Sequence, residues 1–250
     1  MNSASGKINI QDELFVQLMH RISDTFQDHA ILKGGMALRL LESPRMTNDL
    51  DYTFVPHTSK KEILPELKEM IEKIPGITRK ISLHSKALRI NIYKGEIAVQ
   101  IEANVAMECE TQPISTGDYA RKVNEQGKII RIMRFDVALA HKLAAWNERR
   151  LMRDIYDIYF LYKMAGVLPD MDTLKKRLSK IESRIPELRK MKKMELSVFL
   201  AGLQKYMESM TEKQIHEQLS PLMEKSELAG LEIKLRTAVN ELINKIQSKE

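Results

Sequence analysis

Two acids separated by a single leucine, Asp49-Leu50-Asp51, open an apolar run that reaches Val55, and this combination asks for an extended strand. Successive side chains on a strand point to opposite faces, so both carboxylates emerge on one side and Leu50 on the other. Helical residues two apart do not face each other. Paired on a strand, the acids could share a divalent cation, although an Asp-Leu-Asp is also what a solvated strand end looks like. Upstream, Ala30-Ile31-Leu32 reads as a short strand, Gly34-Gly35 as a turn, and Met36–Leu41 as the start of a helix. A glycine turn that opens a helix lets backbone N–H groups approach phosphate oxygens with no Cβ in the way.

The rest of the chain divides by period. Leu14–Phe26 carries apolar residues at three- and four-residue spacing and reads as an amphipathic helix. Ser59 and Glu62 form a capping box for a helix reaching about Ile74. Strand-like runs follow at Thr78–Leu83, Ala87–Tyr93 and Glu96–Val105, an antiparallel meander, then a loop-like stretch from Glu108 to Gln126 and a last short strand at Lys128–Ile132. Helical periods run from Phe135 to Trp146, Met152 to Met164 and Asp172 to Ile181, and continue to the end. The expected fold class is α+β: a mixed sheet flanked by helices over residues 1–166, followed by a helical domain over 167–250, with the boundary near Gly166.

In the third strand of the meander, Val99, Ile101 and Ala103 alternate with Gln100, Glu102 and Asn104, which makes Glu102 the best third acid and Glu96 its nearest alternative. Several chemistries are excluded or disfavoured. The chain has one cysteine, Cys109, so neither an internal disulfide nor a four-thiolate zinc site can form. There is no Gly-x-x-x-x-Gly-Lys-Ser/Thr loop and no metal-binding histidine spacing. No segment approaches the ~20 apolar residues of a membrane span. The N-terminal residues lack the pattern of a secretory signal. A cytoplasmic protein is expected, and its formal charge of +6 over 250 residues suits phosphate-rich partners without requiring them.

Taken together, Leu32-Lys33-Gly34-Gly35-Met36-Ala37-Leu38 followed by Arg45-Met46-Thr47-Asn48-Asp49-Leu50-Asp51 resembles the nucleotidyltransferases of the DNA polymerase β type, and more narrowly the AbiEii/AbiGii toxins. A second block carries the same resemblance: His141-Lys142-Leu143-Ala144-Ala145-Trp146-Asn147-Glu148-Arg149, running into Arg153-Asp154-Ile155-Tyr156-Asp157. The resemblance implies a Mg²⁺- or Mn²⁺-dependent enzyme that moves a nucleotide from a nucleoside triphosphate to an acceptor hydroxyl. Asp49, Asp51 and Glu102 would be its metal ligands and Thr47 a hydroxyl donor to the phosphates. Lys33, Gly34, Gly35 and Arg149 would line the nucleotide site, with Lys142 a cationic contact and Asp154 a polar residue beside the nucleotide. It also implies an RNA acceptor such as the 3′ end of a tRNA, a toxin role in a toxin–antitoxin or phage-defence system, and an antitoxin partner. The alternatives are nucleotide transfer to a protein hydroxyl and a catalytically silent RNA- or protein-binding module on the same fold.

The second block has plainer readings beside this one. Lys142 and Arg149 are seven apart, on one face of a continuous helix, and both could be solvated. Asp154 and Asp157 open the next helix, where acids are favoured whatever the function. His141 reads as a packed or surface residue and Trp146 as a core filler. A basic run follows at Lys175, Lys176, Arg177, Lys180, Arg184, Arg189, Lys190, Lys192 and Lys193, offset by Glu182 and Glu187. It is either a solvated helical face or a surface for an RNA backbone.

Overall fold

The computed structural model describes residues 3–85, 87–183 and 185–249, with backbone alone over 3–9. Arg184 of the basic run lies outside the described residues. The chain forms two compact units, residues 1–42 with 47–134, and residues 43–46 with 135–250. The boundary expected near Gly166 therefore falls inside the second unit, which also contains the helices expected over Phe135–Trp146 and Met152–Met164.

The first unit opens with α1 (Ser3–Phe26) and a 3-10 turn, then β1 (Ala30–Lys33), α2 (Gly34–Arg39), β2 (Asp49–Phe54) and α3 (Lys60–Glu72). It continues through β3 (Thr78–Leu83), β4 (Leu88–Lys94), β5 (Ile97–Val105), β6 (Thr111–Ser115), α4 (Gly117–Arg121) and β7 (Ile129–Met133). The seven strands form one mixed sheet in the order β3-β4-β5-β2-β1-β7-β6. β3, β4 and β5 are the antiparallel meander the sequence predicts, β1 pairs antiparallel with β2, and β5 returns parallel to β2.

Period-2 alternation decides which face of the sheet is covered. Leu50, Tyr52 and Phe54 of β2, Ile90 and Ile92 of β4, and Val99, Ile101 and Ala103 of β5 are buried, and α1 and α3 pack against β5. Each large apolar side chain so buried contributes about 1.5–3 kcal/mol. The residues between them, Asp49, Asp51, Gln100 and Glu102, are left half-exposed on the opposite face. α3 begins with the expected capping box, in which the Ser59 hydroxyl accepts from Lys61 N at 3.2 Å and Glu62 Oε1 from Ser59 N at 2.8 Å.

One stretch corrects the sequence reading. The expected loop from Glu108 to Gln126 contains β6 and α4. β6 is an outermost strand, where Pro113 can sit without removing a ladder hydrogen bond, and a polar, proline-bearing edge strand has no alternation to betray it.

The second unit is helical: α5 (Phe135–Arg149), α6 (Met152–Lys163), α7 (Met171–Leu178), α8 (Pro186–Lys190), α9 (Leu196–Ser209), α10 (Glu212–Leu219), α11 (Lys225–Leu228) and α12 (Leu231–Gln247). α5 packs on α6 and α7, and α12 on α6 and α9. Trp146 of α5 is fully buried, meeting the rings of Phe199 at 6.1 Å and Tyr206 at 5.2 Å edge-on. Among the described residues no helix is long and apolar enough to cross a membrane.

Candidate active site

Strand register builds the first cluster. Asp51 on β2 stands opposite Lys33 on β1 and opposite Glu102 on β5, and Glu102 stands opposite Arg89 on β4. Directly opposed residues share a face, so four neighbouring strands present one transverse row, Lys33, Asp51, Glu102 and Arg89, with two acids between two cations. The adjacent row on the same face holds Asp49 opposite Gln100. Asp49, Asp51 and Glu102 therefore emerge on one side of the sheet. Glu96 does not join them, because it sits in the turn that precedes β5.

The glycine turn closes tightly on this row. Gly34 has φ +72°, a left-handed conformation that disfavours any side chain, and a Cβ placed there would lie 2.1 Å from Asp51 Oδ2. The backbone at Gly34 thus lies against the Asp51 carboxylate. Gly35 is buried in the first turn of α2, which no side chain caps. α2 is oriented by its last residue: Arg39 donates to Asp12 Oδ1 of α1 at 3.3 Å and lies 5.0 Å over the Tyr119 ring, whose hydroxyl also donates to Asp12.

Asp49 is bonded both to the segment that leads into β2 and across to β5. Its backbone N–H donates to Thr47 Oγ1 at 3.3 Å, and Gln100 Nε2 donates to its Oδ1 at 3.3 Å. Glu102 Oε2 accepts from Arg89 Nε at 2.9 Å. Among the described residues no three His, Cys, Asp or Glu side chains converge on one point. Hard carboxylate oxygens on one face, beside a backbone approach that only glycine permits, nonetheless fit Mg²⁺, which is held by one or two carboxylates together with substrate phosphates rather than by a closed protein cage.

A second cluster lies within the helical unit. Asp154 and Asp157 of α6 are fully buried. Asp157 accepts from Arg45 twice, at 2.7 Å from Nε and 3.1 Å from Nη2, and its Oδ2 lies 2.6 Å from Lys142 Nζ. Asp154 is held by Arg149 through Nε at 2.6 Å and Nη2 at 2.5 Å, with Lys142 Nζ 4.0 Å away. Burial alone would raise the Asp157 pKa, but Lys142 and Arg45 outweigh it and hold the carboxyl below its ordinary value. The structure thus brings Lys142, Arg149 and Asp154 together and adds Arg45 and Asp157, to which sequence reasoning gives no place at the site. Both residues lie in the two matched blocks, but no spacing rule couples positions 112 apart. Cys109 is half-buried, and burial pushes its thiol pKa up against the opposing charge of Lys33, the outer cation of the row.

The family model described as "Nucleotidyl transferase AbiEii toxin, Type IV TA system" matches residues 17–236. The chain belongs to the AbiEii family. Solved structures agree on the AbiEii chain's fold. MenT4, a nucleotidyltransferase toxin from Mycobacterium tuberculosis H37Rv, superposes with a TM-score of 0.62 at 16% identity, covering 93% of this chain and 82% of that one. JHP933 from Helicobacter pylori gives 0.57 at 18% identity, covering 99% and 95%. A comparison with curated proteins finds no match. The α+β fold of a nucleotidyltransferase, with its seven-stranded mixed sheet and C-terminal helices, is thereby established for this AbiEii member.

Proposed function

We propose that this AbiEii-family chain transfers a nucleotide from a nucleoside triphosphate to a hydroxyl of an RNA acceptor, the 3′ end of a tRNA being the candidate, and that it does so as a cytoplasmic toxin restrained by an antitoxin. The acceptor oxygen forms a bond to the α-phosphorus, the bond from that phosphorus to the bridging oxygen breaks, pyrophosphate leaves and the hydroxyl proton passes to solvent. The observation that carries the reading is the transverse row Lys33, Asp51, Glu102 and Arg89 with Gly34 pressed against Asp51.

Asp49, Asp51 and Glu102 are the residues that would hold Mg²⁺ or Mn²⁺. When bound, the ion supplies Lewis-acid neutralisation of phosphate charge and a more acidic acceptor hydroxyl. To hold the ion Glu102 would give up its bond to Arg89, and Arg89 could then meet anionic substrate. Lys33 adds a point charge at the edge of the row, the Gly34-Gly35 turn brings backbone N–H groups to phosphate oxygens, and the Thr47 hydroxyl donates to them. Charge placement of this kind accounts for most of what a protein contributes to such a transfer. The roles that the resemblance gives Lys142, Arg149 and Asp154 in nucleotide binding belong to the helical unit and are tested there by triphosphate affinity.

The test offers each labelled nucleoside triphosphate with Mg²⁺ to deproteinised tRNA and, separately, to protein. Label on RNA that disappears with Asp49→Ala and Asp51→Ala supports the reading. Label confined to protein points instead to protein nucleotidylation, and no label on either, with toxicity intact in both variants, points to a binding module.

A further inference from the structure

Beyond the carboxylate row, the largest unexplained charge feature lies between α7 and α9. Residues 179–193 carry six cations against Glu182 and Glu187. Lys180, Arg189, Lys190, Lys192 and Lys193 are all exposed, and among the described residues none of them pairs with a carboxylate. Like charges crowded on a short connection repel one another, and such blocks are ordinarily solvated and disordered. Here the segment is instead closed at its neck. Ile181 N donates to Lys192 O at 3.0 Å, and Met194 N to Leu178 O at 2.9 Å. It is also moored to the end of α5: the Ser183 hydroxyl donates to Glu148 O at 2.6 Å, and Arg177 holds the Glu148 carboxylate at 2.8 and 2.9 Å. Repelling charges held on an ordered support are pre-organised for an anionic partner.

A groove of about 390 Å³ opens at the same neck. Leu178, Met194 and Leu196 give it apolar surface, and Lys175 and Lys193 line it with the hydroxyls of Ser179 and Ser197. Glu195 is the one acid there. The size falls within the range of small-ligand pockets, and an apolar floor with flanking ammonium groups suits a base or ribose with its phosphates. The cations are mostly lysines, point charges that accept phosphates in many orientations. A surface built for carboxylates would favour the bidentate arginine fork.

We infer that the basic excursion and the groove at its neck bind the phosphate backbone of a nucleic-acid acceptor strand, with one nucleotide seated in the groove. The inference rests on the RNA-acceptor reading above and assigns it a surface that the carboxylate row does not supply.

The experiment measures fluorescence anisotropy of labelled tRNA on the full chain, without triphosphate, over a series of KCl concentrations. Lys190→Glu/Lys192→Glu and Lys175→Glu/Lys193→Glu are compared with Lys205→Glu/Lys234→Glu, a charge-matched pair of exposed lysines elsewhere. Corresponding glutamine variants guard against misfolding, and circular dichroism verifies each protein. The excursion and groove variants are expected to bind about tenfold or more weakly, with a salt dependence shallower by about 0.7 for each phosphate no longer neutralised, while the control binds as the parent does. Equal weakening in the control, or unchanged affinity in the excursion variants, overturns the inference. So does a parent chain that ignores RNA and binds an acidic peptide at this surface. Because triphosphate is absent, RNA binding that is abolished in these variants but kept by Asp51→Ala upholds this surface even if nucleotide transfer fails its own test.

Discussion

Asp51 Oδ2 lies 2.1 Å from where a side chain's first carbon would be built on Gly34, so the carboxylate occupies space that a side chain at position 34 would need. The strand that carries the acid and the turn that follows β1 are thereby fixed against each other by exclusion of a single methyl group.

Gly34→Ala should abolish nucleotide transfer while leaving a folded chain, and Gly76→Ala provides the internal control. Both glycines have φ +72°, so both variants carry the same left-handed backbone strain of about 1 kcal/mol, but nothing lies within 4 Å of a Cβ at Gly76. Thermal unfolding and transfer assays on the two should show a small destabilisation in both, larger at position 34 where the Asp51 side chain must shift, and a loss of activity at position 34 alone. Equal activity in both would separate the turn from the chemistry.

Asp49→Asn and Asp51→Asn should each lower transfer by about a thousandfold or more, the several kcal/mol expected when a metal-bearing acid is neutralised. Glu102→Gln should cost less at saturating Mg²⁺ and raise the Mg²⁺ concentration needed for half-maximal rate. Metal titrations of initial rate check this, and a Glu102→Gln protein with parental metal dependence would remove Glu102 from the ligand set.

Asp157→Asn should destabilise the protein by about 3–5 kcal/mol, because it strips Arg45 and Lys142 of a buried counter-charge. The sign with pH follows from a folded pKa held below the ordinary 3.8. The unfolded chain takes up the proton first, so the contribution is complete above about pH 4 and is lost as pH falls through the folded value. Urea unfolding from neutral pH into acid should show a steep acid limb in the parent and a shallower one in the variant.

His20 gives a second, milder window. Its ring sits 2.8 Å from Thr116 Oγ1, and burial, aided by Lys128 and opposed by Asp24 and Glu125, lowers its pKa below 6.5. The unfolded ring again protonates first, so stability is complete above pH 6.5 and declines as pH falls through the folded value. His20→Gln should remove that slope between neutral pH and the Asp157 window. An unchanged slope would assign it to another group.

Legibility followed the physics of each element. β2 and β5 could be read because period-2 alternation forces Asp49 with Asp51, and Gln100 with Glu102, onto one face whatever the partners are. The pairing of Asp51 with Glu102 could not, since it needs β5 to cross back parallel to β2, and Arg89 entered the row only through that register. The capping box of α3 was visible because its signal is local, whereas β6 hid behind Pro113. The Arg45–Asp157 pair needed tertiary structure, though each half stands in one of the two matched blocks.

Residues 43–46 belong to the helical unit although the chain on both sides of them belongs to the other, so the polypeptide passes between the two units three times. A single cut at 134/135 therefore yields no clean pair of fragments. One beginning at Phe135 would leave Asp157 with Lys142 but without Arg45, an interior carboxylate half neutralised, and splitting or circularly permuting this chain has to keep that four-residue loan with its borrower.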